Sequence, residues 1–224
     1  MLKEARVQRD EALHLAVSLR SFRAEALSDF VGHVVENRPE LAQTAYAAIA
    51  DRYPIVLVRD LELARDWVRR QARGSERYGL LASSGGYRLR PESIWVKAKI
   101  DAPVWFLNER TDVRSSFYLE EVATEFDVQG LELDWAAVCW DADFRRDNGE
   151  WRHFSFRGTA WMRMNAVERQ TYLKNAYRVL LTRARQGIAI FIPRGDAADR
   201  TRLPPFYDHT FEYLLLCGLR EFTG

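Results

Sequence analysis

Two arginines, Arg183 and Arg185, stand in "NAYRVLLTRARQGIAIFIP" between a helix-like run and an apolar, strand-like run. A guanidinium is planar, permanently charged and matched to phosphate or carboxylate oxygens, so a pair held rigidly at such a junction suits anion binding. The helix dipole alone also favours arginine at a helix C-terminus, so only a larger pattern can decide between the two readings. A second stretch, "LASSGGYRLR", joins small and hydroxyl residues to a basic, aromatic end. Ser83, Ser84 and Gly86 are candidates for phosphate contacts, and Tyr87, Arg88 and Arg90 for stacking and charge on a nucleic-acid strand. A solvated basic loop would have the same composition. A third set, Asp134, Asp141 and Asp143, brackets an apolar run and is of the type that gathers a magnesium ion for nuclease chemistry, although no lysine accompanies it. His14, His33, His153, His209, Cys139 and Cys217 are scattered without metal-ligand spacing, and no metal site is expected.

The elements that must position these residues follow from periodicity. "LHLAVSL" (13–19) reads as a strand that ends at Arg20-Ser21. Helical spacing covers 24–36 and, opened by Pro39, 39–51. "PIVLVRD" (54–60) reads as a buried strand, 61–72 as an amphipathic helix and "YGLLASS" (78–84) as another buried strand, an arrangement that predicts parallel neighbours. Residues 85–115 mix Gly, Pro, aromatic and basic residues without a sustained period and are expected to be irregular. A helix is predicted near 116–123, a strand over 135–143 with Trp135 and Trp140 in the core, and a hairpin at Asp147-Asn148-Gly149. A long helix over 165–183, a strand over 187–193 and a helix over 206–219 complete the chain. The expected architecture is a single α/β domain over 1–224, with an open, mainly parallel sheet, helices on both faces and a β-hairpin insertion near 143–156.

Composition narrows the partners. With 33 basic and 32 acidic residues the formal net charge is +1, so no field surrounds the whole molecule and any nucleic-acid surface must be local. Only Lys3, Lys97, Lys99 and Lys174 are lysines, and a bias towards arginine this general carries meaning only where position argues for it. The N-terminus is charged and no run has the roughly 18 to 20 apolar residues of a membrane span. A cytoplasmic protein without membrane contact is expected.

Three stretches, "VSLRSF", "VATEFDVQGLELDWAAV" and "NAYRVLLTRARQGIAIFI", occur in the order of motifs IV, V and VI of superfamily 1 helicases and resemble them. Over nearly its whole length the chain is similar to the C-terminal half of a bacterial group of Schlafen-like DNA/RNA helicase proteins. Thr124, Gln129, Gly130 and Glu132 match the motif V pattern, Thr182-Arg183-Ala184 that of motif VI, and Arg20-Ser21 the end of motif IV. Phe126 replaces a histidine frequent in motif V, and Arg178 takes the place of a motif VI tyrosine, with Tyr177 one residue earlier.

The resemblance implies a second RecA-like domain of the P-loop NTPase type. There is no Gly-Lys dipeptide, hence no phosphate-binding loop of the G-x-x-x-x-G-K-[ST] kind. ATP and magnesium are therefore expected to bind only together with an N-terminal RecA-like domain that these residues do not contain. In that setting Arg183 would stabilise charge on the transferring phosphoryl group, Arg20 would add a second contact, Glu132 would accept a hydrogen bond from the ribose, and Gln129, Gly130 and Arg185 would complete the nucleotide site. Thr124 would join Ser83, Ser84, Tyr87, Arg88 and Arg90 on single-stranded DNA or RNA. Arg20, Gly130, Glu132 and Arg183 are expected on one edge of the sheet, at the strand carboxyl ends by the crevice rule. A non-catalytic binding module and a magnesium-dependent nuclease are the competing readings.

Overall fold

The computed structural model describes the chain from residue 19, and its side chains from residue 24. Helices α1 (Leu19–Val35) and α2 (Pro39–Ala47) lead into strand β1 (Ile55–Val58), helix α3 (Leu61–Gln71) and strand β2 (Tyr78–Ala82). The strand expected over 13–19 lies outside the described residues up to 18; Leu19 and Arg20 belong to α1, and the Arg20 side chain lies outside what is described. Helix α4 (Ala102–Leu107) interrupts the irregular segment. Next come β3 (Val122–Ala123), β4 (Leu133–Cys139), β5 (Phe144–Asp147), β6 (Glu150–Arg157), β7 (Ala160–Arg163), helix α5 (Val167–Leu181), β8 (Ala184–Phe191), helix α6 (Pro205–Leu216) and β9 (Arg220–Glu221).

Six strands form one sheet in the order β3-β2-β4-β8-β1-β9, every pair parallel. This is an α/β fold consistent with the RecA-like form. The two buried strands expected as neighbours, β1 and β2, are parallel but separated by β4 and β8. Each strand alternates its side chains between two layers, as a doubly covered parallel sheet requires. Ile188 and Ile190 of β8, with Ala136 and Val138 of β4, face α1, α2, α5 and α6; Ala189, Phe191, Ala137 and Cys139 face α3 and the 89–94 and 117–119 segments. At the crossing of β8 with the chain entering β1 only glycine fits, because a Cβ on Gly187 would lie 2.6 Å from the Pro54 carbonyl oxygen.

Asn148 and Gly149 both have positive φ, 50° and 78°, as a two-residue hairpin turn demands, and β5 pairs antiparallel with β6 there. The arm continues into β7, making three strands instead of the expected hairpin. The helix expected near 116–123 is a short 3₁₀ turn, Ser116–Tyr118, followed by β3. Leu119, fully buried with φ 60°, ends it, since a left-handed residue cannot propagate a helix. Among the described residues no helix is long and apolar enough to cross a membrane.

Candidate functional site

A parallel sheet has a carboxyl edge, where its strands end, and an amino edge, where they begin. The candidate residues divide between the two. Glu132 precedes β4 and Arg183 precedes β8, so both lie at the amino edge, opposite to the edge that the crevice rule suggested. They line one cleft of about 630 Å³, with Tyr53, Asp134, Thr182 and Arg185, and α1 supplies Ala24, Leu27 and Ser28.

The backbone at Arg183 is held from three sides. The Thr182 hydroxyl closes the end of α5 by donating to the Arg178 carbonyl at 2.8 Å. The Leu133 N–H donates to the Arg183 carbonyl at 2.9 Å, and the Tyr53 hydroxyl donates to the Ala184 carbonyl at 3.0 Å. The guanidinium is thus carried by a fixed stretch of chain, and its Nε is buried without a hydrogen-bond partner among the described residues. A donor withdrawn from water and left unpaired is costly, and Arg59, Arg65, Arg88 and Arg202 bury their Nε in the same way.

Arg185 differs. Its Nη2 pairs with Asp134 Oδ1 at 2.9 Å, and Asp134 Oδ2 accepts the Arg77 N–H at 2.7 Å. Gln186 donates to Glu76 at 2.7 Å, and this bond, with those from Trp135 and the Arg73 N–H, holds the Glu76 carboxyl below its ordinary range. Arg185 therefore already belongs to a charged rim. Gln129 and Gly130 are exposed in the loop approaching β4, outside the residues that line the cleft. Gly130 has φ 78° and open space where a Cβ would be, so it is required by the turn and leaves room for a close approach.

At the carboxyl edge, three of the expected nucleic-acid contacts are occupied by the protein itself. Ser83 is buried and its hydroxyl donates to Asp143 at 2.7 Å. Ser84 donates to Glu125 from both its N–H (2.8 Å) and its hydroxyl (2.6 Å), which places a carboxylate where a phosphate was expected. Thr124 donates to Asp127 in the same double manner, at 2.8 and 2.6 Å. These side chains shape the loops after β2 and β3 and do not present free hydroxyls. Tyr87, Arg88 and Arg90 instead line a groove of about 390 Å³ together with Trp95, Lys97 and Phe156, which the sequence reading passed over. The signal was present in the spacing of Trp95, Lys97 and Lys99 at every second residue of "SIWVKAK".

The three aspartates considered for magnesium are not gathered. Asp134 is at the amino edge, whereas Asp141 and Asp143 follow the carboxyl end of β4, and among the described residues no group of three metal-binding side chains comes together. Asp141 accepts from Tyr207 (3.0 Å) and the Arg88 N–H (2.7 Å), and Asp143 from Tyr177 (2.6 Å) and Ser83. The pair thereby clamps the 83–88 loop from below.

Burial raises both carboxyls of this pair above their ordinary range, Asp143, where the charge of Asp141 adds to it, to about 7. An unfolded carboxyl ionises near 4, so between roughly pH 4 and 7 the folded chain holds a proton that the unfolded chain releases, and stability falls as pH rises through that window. Asp143→Asn, which keeps the shape and removes the charge, should flatten the pH dependence of the melting temperature there. An unchanged slope in melts recorded from acid to neutral pH would exclude Asp143 as its source.

In comparison with known proteins, residues 1–194 match the family described as "Schlafen group 3, DNA/RNA helicase domain". Neither a curated protein nor a solved structure matches the chain.

Proposed function

Because the chain belongs to the Schlafen group 3 DNA/RNA helicase family, we propose that it acts as the second RecA-like half of an ATP-driven helicase or translocase, its amino-edge cleft being one side of a nucleotide site. The observation that carries this reading is the placement of Arg183, on a stretch of chain fixed by hydrogen bonds, in one cleft with Glu132. A fixed arginine brought to a transferring phosphoryl group from outside the phosphate loop is worth about 10³ to 10⁵ in rate where it has been measured.

ATP, when bound, supplies the phosphoryl transfer to water that drives movement. On this chain Arg183 would meet the phosphates, Glu132 the ribose hydroxyls, and Arg20 a second phosphate oxygen. Arg185, already paired with Asp134, would serve mainly to set the potential of the rim. The described residues hold no carboxylate cluster for magnesium, so the ion and the phosphate loop would come from a partner RecA-like domain. The nucleic-acid side of the function would lie at the carboxyl edge, where Tyr87, Arg88 and the exposed Arg90 line one groove.

The test is to assay this chain by itself for ATP hydrolysis, with and without single-stranded nucleic acid. No turnover above background is expected. Turnover that copurifies with the chain and disappears in Arg183→Ala would overturn the half-site reading, since the chain would then hold a complete site.

A further inference from the structure

The groove beside the 3₁₀ segment is built as a pincer of flat aromatic faces and cations. One wall is the segment 87–97, anchored by Leu89 and Ile94, both buried, and turned by Ser93 with φ 63°. It presents Arg90 4.1 Å over the Trp95 ring and Lys97 4.2 Å over the Tyr87 ring. The facing wall is the antiparallel arm, which contributes Phe156 and the turn at Gly158. Arg88 bridges the two, 5.3 Å from the Phe156 ring, its N–H held by Asp141 and its Nη2 by Asp199 at 2.6 Å.

Both walls are fixed. Arg145 is buried between Phe154 and Phe206, 3.8 and 3.7 Å from their centroids, which binds the arm to α6, and Trp161 donates to the Thr201 carbonyl at 2.8 Å. Of the nearby carboxylates, Glu92 pairs with Arg202 outside the groove and Asp199 neutralises Arg88 within it, which leaves Arg90 and Lys97 as the lining cations without a carboxylate partner among the ion pairs of the described residues. Trp95 nevertheless stays half exposed, and the Arg88 Nε is buried without a partner.

We infer that this groove is a single-strand-binding channel in which bases stack on Trp95 and Phe156 while Arg90 and Lys97 hold the phosphates, with Arg88, paired to Asp199, fixing the wall and the three-stranded arm closing the outer side. The inference rests on the nucleic-acid reading above and adds to it the site, the stacking residues and the selectivity. Cations stacked on exposed rings match the alternation of phosphate and base along one strand. A duplex offers its phosphates but keeps its base faces stacked inside, so it can use only half of the groove. An acidic peptide would leave the ring faces without flat partners.

The test uses this chain with short fluorescein-labelled oligo-dT and oligo-U, read by anisotropy over a salt series, with unlabelled duplex as competitor. Wild type should bind one or both single strands better than duplex and lose affinity steeply with salt. Trp95→Ala combined with Phe156→Ala should weaken single-strand binding by about ten- to a hundred-fold. Arg90→Ala combined with Lys97→Ala should flatten the salt slope by about one to two units. Trp95→Phe keeps a stacking face and guards against a folding artefact: it should bind nearly as well as wild type while losing most of the tryptophan quenching that the oligonucleotide causes. If wild type binds single strands and all these variants bind with unaltered affinity and slope, the groove is wrong and the nucleic-acid reading stands. If wild type binds no single strand even at low salt, both fall.

Discussion

Replacing Arg183 by alanine in an enzyme assembled from this chain and its phosphate-loop half should lower kcat by about 10³-fold or more, with nucleotide affinity changed only modestly. The asymmetry follows from where the guanidinium matters. On the proposed reading the loop and metal of the other half would already neutralise the phosphates in the ground state, so one distant cation would add little; in the transition state charge moves onto the transferring group, and a fixed donor there would have no reorganisation to undergo. The rigidity comes from the bonds of Leu133 and Tyr53 to the carbonyls of Arg183 and Ala184. Arg183→Lys should recover little, because a point charge on a flexible stem cannot reproduce the planar fork. Arg185→Ala should have a much smaller effect on kcat, as its partner is Asp134. Steady-state turnover with a separate nucleotide titration measures both quantities, and a fall in affinity with kcat unchanged would assign Arg183 to ground-state binding.

The largest structural effect is expected at Trp140. Its indole is 1% exposed and stacks with Tyr177 of α5 at 4.4 Å, Trp151 of the arm at 5.6 Å and Phe144 at 6.0 Å. Its Nε1 donates to the Phe144 carbonyl at 2.6 Å. Three parts of the fold, the end of β4, the arm and α5, therefore meet on one ring. Trp140→Ala should cost about 3 to 5 kcal/mol through lost burial and the cavity left behind, a large share of the roughly 5 to 15 kcal/mol that holds a domain together. Denaturant unfolding should show the midpoint shifted accordingly. A variant as stable as wild type would mean that the arm is anchored without this cluster, through contacts such as Arg145 with Phe206, Arg146 with Asn37 and Tyr213, and Trp161 with Thr201.

Much of this was readable from local pattern, and the failures have definite causes. The apolar runs of β1, β2 and β8 and the Asn148-Gly149 turn carry their own signals, because burial on both faces and positive φ each demand particular residues. Strand order does not have a local signal: nothing in "PIVLV" or "YGLLA" says that β4 and β8 intervene. The two-residue strands β3 and β9 are too short for any period, and the four residues of β7 bury only Trp161, and that in part, which leaves no repeat to read. The edge of the sheet was misjudged for another reason. The crevice rule points to residues that follow strands, whereas Glu132 and Arg183 precede theirs, and in an all-parallel sheet that ordering alone puts them at the amino edge. Ser83, Ser84 and Thr124 were assigned to nucleic acid by type, and their carboxylate partners come from distant or looped chain that no spacing reveals.

If Arg183 completes a nucleotide site on another domain, association with that domain should depend on the nucleotide held there. A phosphate-loop half from the same helicase family, held with magnesium, ADP and aluminium fluoride to imitate the phosphoryl group in transfer, should bind this chain in a calorimetric titration more tightly than the same half with ADP alone. That gain should vanish in Arg183→Ala, since an interaction made in the transition state is the one that such a complex captures. Equal association in both nucleotide states, or a gain that survives Arg183→Ala, would contradict the assignment of the cleft.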